Sequence, residues 1–445
     1  MAIFAGQALL PGGWQDDVRI SWAAGRITHV ETGVAPAPGD EHHRFVLPAM
    51  PNVHSHAFQR AMAGLAETRG EGDDSFWSWR NVMYRFALAM SPEQVQAVAS
   101  QLYVEMLEAG FCRVGEFHYL HHDGDGRAYA DIAEMAGRIV AAADDTGIGL
   151  TLLPVFYAHS GFSGQDPGEA QRRFINNPDS FLKIVESCRS MASERPGMVV
   201  GIAPHSLRAV TPDELSILAA MPFDGPIHIH VAEQTREVED CVASLSARPV
   251  EWLLANAPVD RRWCFIHATH MTREETRGLA RCGAIAGLCP ITEANLGDGT
   301  FPAVEFLDAG GALAIGSDSN ILIGISDELR QLEYSQRLAH RARNVIAPKG
   351  GSTGRMLLEQ ALAGGGAALQ AGTGIAPGHP ADLMSLLPRH ETGLLGDNLV
   401  DAWIFAQGAG VDCVWVNGHK QVEAGRHHRR DPVARGFRKA MLELD

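Results

Sequence analysis

Basic residues are scarce in this 445-residue chain, where 37 Lys and Arg stand against 53 Asp and Glu for a formal charge of −16. Nucleic acid and anionic membrane surfaces both need a basic footprint, so this balance argues against either as a partner. An anionic substrate must then find local Arg or Lys to overcome the general field. Paired cysteines are missing too. The seven cysteines, at 112, 188, 241, 264, 282, 289 and 413, are odd in number, scattered and without a CxxC. That argues against a disulfide framework and for a reducing cytoplasm. The N-terminus lacks a basic n-region, and no run approaches the ~18 apolar residues of a membrane span. Repeats and low-complexity tracts are also absent. Gly364-Gly365-Gly366 lies in an Ala-rich helical context with no phosphate-loop pattern, and Asp123-Gly124-Asp125-Gly126 lacks the later ligands of a calcium loop and reads as a solvated turn.

One residue type is plentiful. The 20 histidines fall largely in short clusters at the ends of apolar runs. Those runs set the organisation. AIFAGQALL, VRISWAA and RITHVET, with a turn at Ala24-Gly25, read as short strands, and VDCVWVNGHKQVEAG reads as a hairpin turning at Asn417-Gly418. The β-rich ends predict one small composite domain, residues 1–46 plus 373–445. Between them, 47–372, eight strand candidates alternate with helical stretches: 45–56, 113–120, 150–160, 199–207, 226–233, 263–270, 284–290 and 312–319. Amphipathic runs such as 92–110 and 127–147 supply the helices. The pattern predicts an α/β fold, a (β/α)₈ TIM-type barrel. A doubly wound open sheet fits less well, because polar residues recur at the ends of nearly every strand and not at one switch point.

The chemistry starts in Pro51-Asn52-Val53-His54-Ser55-His56. Residues two apart in a strand share a face, so His54 and His56 form a chelating pair at the end of strand one. His230 ends strand five; His228, two residues earlier, competes for the role, but His230 is nearer the rim and carries Glu233 three residues on. Asp318 ends strand eight. Three imidazoles and a carboxylate suit one divalent cation, Zn²⁺ or Fe²⁺, with a position left open for water. Taken singly, each has a plainer role as a core histidine or a helix-capping aspartate. All the plainer roles must hold together at three strand ends to dismiss the site.

HxH on strand one, HxxE leaving strand five, His267 on strand six and SD on strand eight resemble the amidohydrolase superfamily. The segment Pro377–Leu383 resembles part of the small β-domain that its members often carry. The resemblance spans nearly the whole chain. Two-metal members use a carboxylated lysine, usually on strand four; VVGIAPHSLRA has none, so the resemblance implies one metal and deaminase-type chemistry. It implies Asp318 as the group that takes the proton of the attacking water, and His267 as the group that orients it. Glu233 becomes the acid for the leaving nitrogen. A plainer role for Glu233 is a bridge to a barrel helix.

Arg80, in the long first loop, and Arg208, after strand four, are unusual at the mouth of a barrel in so acidic a chain. Arg grips carboxylates bidentately, so the pair suggests a small substrate with two negative groups; surface ion pairing is the alternative. HAFQRAMAGLAE, FWSWRNVMYRFA, GEFHYLHHD, APHSLRAV, HVAEQ, CPITEANLGDG and SDSNILIGISDELR look like the N-formimino-L-glutamate deiminases of bacterial histidine breakdown. One departure is Gly324, where Ser was expected. That resemblance implies Gln59, Arg80 and Tyr119 at one end of an amino-dicarboxylate, His205 and Arg208 at the other, and one zinc. A deaminase of a neutral heterocycle and a catalytically silent barrel are the competing readings. A cytoplasmic homodimer is expected, and the loop around Trp77 and Trp79 is long and aromatic enough to close as a lid.

Overall fold

The computed structural model describes residues 1–69, 76–390 and 393–444. Strands Met50–Ser55, Phe111–His118, Gly149–Phe156 and the broken pair Val199–Val200 and Ala203–Pro204 run parallel in chain order. Ile227–Val231, Trp263–His267, Ile285–Leu288 and Ala312–Ile315 form a second parallel run. Parallel bridges at Ile202–Ile227 and Ser55–Asp318 join the two runs into a closed (β/α)₈ barrel. Closure brings strand eight against the strand that carries the HxH pair: Asp318 N donates to the His54 carbonyl and His56 N to the Asp318 carbonyl, each at 3.0 Å.

The strands are nearly continuous apolar runs because both faces are covered, by helices outside and packed side chains within. Capping boxes start several of the covering helices, with Ser91 and Gln94, Thr211 and Glu214, and Thr272 and Glu275 satisfying each other's orphan amides. Helix Thr353–Ala368 lies unusually close. A Cβ on Gly364 would sit 2.0 Å from the Leu313 carbonyl oxygen, and one on Gly365 3.0 Å from Pro51. The glycine triplet therefore lets a helix press onto strands eight and one, which accounts for it without a nucleotide. Just beyond, Leu369 is buried in one cluster with Val53, Cys264 and Ile266. Asp123 accepts from the amides of Asp125 and Arg127, the solvated turn read from its sequence.

An eight-stranded sheet is assembled from both ends of the chain. Ala2–Leu10, Gly13–Ala23, Arg26–Glu31 and Glu41–Pro48 join Leu383–Pro388, Ala409–Val416, His419–Glu423 and Arg426–His427, the seam being Glu41–Pro48 antiparallel to Leu383–Pro388. Both expected turns form. Ala24 and Gly25 (φ 48° and 77°) and Asn417 and Gly418 (φ 48° and 74°) carry the paired positive φ of a type I′ hairpin. The Trp22 indole ties the two turns by donating to the Gly418 carbonyl at 3.1 Å.

Four features differ from the sequence reading. Residues 45–56 are not one strand: the run breaks at Ala49, whose amide donates to Asp382 O, so its first part belongs to the sheet and its second to the barrel. The helix expected from 127 begins at Glu134, because the preceding segment is held in turns. Arg80 sits on a helix, Phe76–Ala89, where a loop was expected. The C-terminal part also carries two unforeseen helices, Asp397–Ala406 and Arg430–Leu444.

Candidate metal centre and catalytic cavity

His54 and His56 leave strand one, His230 strand five and Asp318 strand eight, and all four are buried. Their ligand atoms lie within 4.8 Å of one another. His54 Nε2 is 3.2 Å from His56 Nε2 and 3.0 Å from His230 Nε2, and Asp318 Oδ1 is 3.3 Å from both His54 and His56. A single ring proton can serve only one of these close contacts. His56 Nδ1 is engaged by the Phe117 carbonyl at 3.0 Å, which fixes the proton there and turns the Nε2 lone pair inward. Burial lowers His54 to about 3 and His230 well below the ordinary histidine value, keeping both rings neutral, the state a metal ligand needs. This donor set fits one divalent ion. His228, the other candidate on that strand, lies outside this cluster: its Nε2 bonds the Ala368 carbonyl at 2.9 Å.

The backbone at this rim is strained. Ala232, His267, Ala268, Asp318 and Asn320 all have positive φ without being glycine, at a cost of about 1–3 kcal/mol each. What holds the Asp318 turn is a buried clamp that sequence reasoning did not assign. Asn52 Nδ2 donates to Ser317 Oγ at 2.6 Å, Ser317 Oγ to Asn320 Oδ1 at 2.6 Å, and Asn320 Nδ2 to the carbonyls of Asp318 and His56. Gly316 allows the approach, since a Cβ there would lie 2.7 Å from His54 N.

Beside the ligands, His267 Nε2 is 3.8 Å from both Asp318 Oδ2 and Glu233 Oε1, and its Nδ1 is 3.3 Å from Glu293 Oε1. Burial alone would lower His267, but Glu233, Glu293 and Asp318 outweigh it and raise the ring to about 10. Burial raises Glu233 above the ordinary carboxylate range, with His267 and Arg208 opposing. Asp298, hydrogen-bonded by Gln234, is pushed up to about 9 by burial and by Glu233. Glu293 and Asp298 were missed, although both lie in the segment CPITEANLGDG; only distance to His267 and Glu233 reveals them.

One cavity gathers the rest. His56, Gln59, Arg80, Tyr119, His205, Arg208, His230, Glu233, His267 and Asp318 all line it, so every substrate-binding candidate is brought to the metal-ligand cluster. Tyr84, Tyr157 and Phe174 complete the wall and were not anticipated. Gln59 donates to the Tyr119 hydroxyl at 2.9 Å, and Arg80 bonds the Tyr84 hydroxyl. Burial keeps His205 neutral and raises the Tyr157 phenol to about 12. Trp79 contributes to the wall, while the side chain of Trp77 lies outside the described residues.

A closed barrel with three imidazoles and a carboxylate at its C-terminal rim, and a charged imidazole and a glutamate beside them, defines a metal-dependent hydrolase. Residues 45–420 match the amidohydrolase family, and residues 1–44 match the N-terminal domain of the formimidoylglutamate deiminase HutF. The chain belongs to the amidohydrolase family. It is 50% identical to the formimidoylglutamate deiminase of Pseudomonas aeruginosa, over 100% of this chain and 99% of the relative. An amidohydrolase from Brucella melitensis of known crystal structure shares 60% identity and a TM-score of 0.98, covering 100% of this chain and 99% of that one. An adenosine deaminase from Xanthomonas campestris with bound zinc shares the fold at 22% identity and a TM-score of 0.82, covering 100% and 98%.

Proposed function

We infer that the chain is a deiminase of histidine degradation that hydrolyses N-formimino-L-glutamate to N-formyl-L-glutamate and ammonia. The observation that carries this reading is the placement of Arg80 and Arg208 in the same cavity as Glu233, His267 and Asp318. The full-length identity to the Pseudomonas aeruginosa deiminase supports it.

His54, His56, His230 and Asp318 would hold one divalent ion, which we take as zinc. When bound, it supplies Lewis acidity, making hydroxide available near neutral pH. The residues do the rest. Asp318 faces His267 with one carboxylate oxygen and the ligand imidazoles with the other, a position from which it takes the proton of the attacking water. Charged His267 stabilises the negative charge that develops as oxygen adds to the amidine carbon. Glu233, whose burial favours its protonated form, hands a proton to the terminal nitrogen. The carbon–nitrogen bond breaks, ammonia leaves, and C=O stands where C=NH stood. Arg80 with Gln59 and Tyr119 grips one carboxylate, and Arg208 with His205 the other. Apolar and aromatic walls make each charged grip stronger than it would be in water.

A second reading, deamination of a neutral heterocycle, keeps the centre and gives the arginines no substrate role. The two separate in an ammonia-release assay of the zinc-loaded protein with N-formimino-L-glutamate, formiminoglycine, guanine and cytosine. Turnover of the glutamate compound alone is the expected result. Turnover only of a heterocycle would overturn the two-carboxylate reading and leave the centre intact.

A further inference from the structure

A second group of ligand-type atoms lies next to the first. The ligand atoms of His267, Cys289 and Asp318, from the ends of strands six, seven and eight, are within 4.8 Å of one another, and all three residues are buried. Nothing in the reaction above uses Cys289. Its amide donates to Glu293 Oε1 at 2.9 Å, the same oxygen that lies 3.3 Å from His267 Nδ1. One carboxylate thus holds the imidazole and the cysteine in one relative position.

The surroundings independently favour a cation. Glu293 and Glu328 are both buried beside this group, bonded to the amides of Cys289 and Ile291. Glu328 accepts from the Ile291 amide with one oxygen, while its other oxygen is buried with no hydrogen-bond partner among the described residues. Crowded carboxylates in a low-dielectric interior are costly unless positive charge balances them. The other cysteine-containing cluster, Glu41, His43 and Cys413, is different, because Lys420 Nζ already stands 2.5 Å from Glu41.

We propose that His267, Cys289 and Asp318 form a second, weaker position for a thiophilic divalent ion such as zinc or cadmium, and that filling it inhibits the enzyme. The proposal rests on the reading of the first centre, because Asp318 is shared. On binding, the Cys289 thiol and the charged His267 ring each give one proton to solvent, and the sulfur and ring-nitrogen lone pairs go to the ion; no redox change occurs. Thiolate and imidazole are the donors that select such ions over magnesium or calcium. Affinity is lower than at the first centre because one ligand is shared and two dications repel. Inhibition follows because a metal-bound His267 no longer faces the substrate.

The experiment is a cadmium titration of the zinc-loaded protein, followed by equilibrium dialysis, thiolate-to-cadmium ultraviolet absorption and ammonia release. The expected result is one cadmium bound per chain beyond the resident zinc, a thiolate band, and activity falling in step. Cys289→Ser and Cys289→Ala, two variants in case one folds poorly, keep the resident zinc and the basal rate. Both lose the band, and the inhibitory cadmium concentration rises by on the order of tenfold or more. A band and inhibition that survive both substitutions, or binding of no second ion, would overturn the proposal. His56→Ala checks the first centre separately: it should lose the resident zinc. Retention of that zinc would overturn the first-centre reading, and this proposal with it.

Discussion

At the scale of single residues, the proposed reading divides the site into groups that hold an ion, move protons or grip charge, and substitution should separate them. Glu233→Gln keeps the size and removes the acid, so metal content should be unchanged while kcat falls by on the order of 10²- to 10⁴-fold. Metal analysis beside steady-state kinetics checks this, and a near-normal kcat would remove Glu233 as the acid. Arg208→Met removes a charged grip and leaves the ion alone. KM for the glutamate substrate should then rise by on the order of ten- to a hundredfold with a smaller change in kcat. Unchanged kinetics would return Arg208 to a structural role. Much of this site was legible in sequence because ligands on strand ends obey a period of two and a fixed order along the barrel. His228 shows the limit: periodicity alone put it on the face of His230, and only its bond to the Ala368 carbonyl shows that it serves another layer. Glu293 and the Asn52–Ser317–Asn320 clamp were unreadable for a related reason, since their roles are relations between distant strands.

Among the elements, helix Thr353–Ala368 has the least room for change. Gly364→Val would drive a side chain into the Leu313 carbonyl, 2.0 Å from even a bare Cβ. Overpacking of this kind costs roughly 1–3 kcal/mol or more, and denaturant unfolding should show it as a lower midpoint. A midpoint within error of the parent would mean that the helix shifts freely, against the packing described. Sequence patterning identified the eight strands and this helical context, but it misjudged where one sheet hands over to the other. FVLPAMPNVHSH is apolar throughout because both its halves are buried, one in the sheet and one in the barrel, so hydropathy carries no mark of the break at Ala49. The start at Glu134 was likewise hidden, since the segment before it is held in a turn where Asp131 accepts from the amides of Ala133 and Glu134.

For the whole molecule, acid should be destabilising in a defined window. Burial lowers His118 to about 3 and His121 well below the ordinary 6.5. The unfolded chain then binds more protons than the folded one between those values. This contribution to stability is fully present above pH 6.5 and is lost as pH falls toward 3. Thermal unfolding from pH 7 to pH 4 should show a falling Tm, with a shallower fall in His118→Asn than in the parent; equal slopes would sink the assignment. Metal removal provides a second test at this scale. An ion bound only by the folded chain stabilises it by mass action, so chelation should lower Tm and stoichiometric zinc should restore it. A Tm indifferent to chelation would mean that the ligand cluster is not loaded.

The seam of the eight-stranded sheet sets an order in time. Glu41–Pro48 pairs on one side with Ala2–Leu10 and on the other with Leu383–Pro388. During translation at roughly 10 residues per second, its second neighbour emerges on the order of half a minute after the first. Until then Glu41–Pro48 presents a bare edge, the feature of a nascent sheet most open to mispairing. The barrel that follows it directly is complete in sequence before the sheet that precedes it. The sheet is therefore begun before the barrel and finished after it.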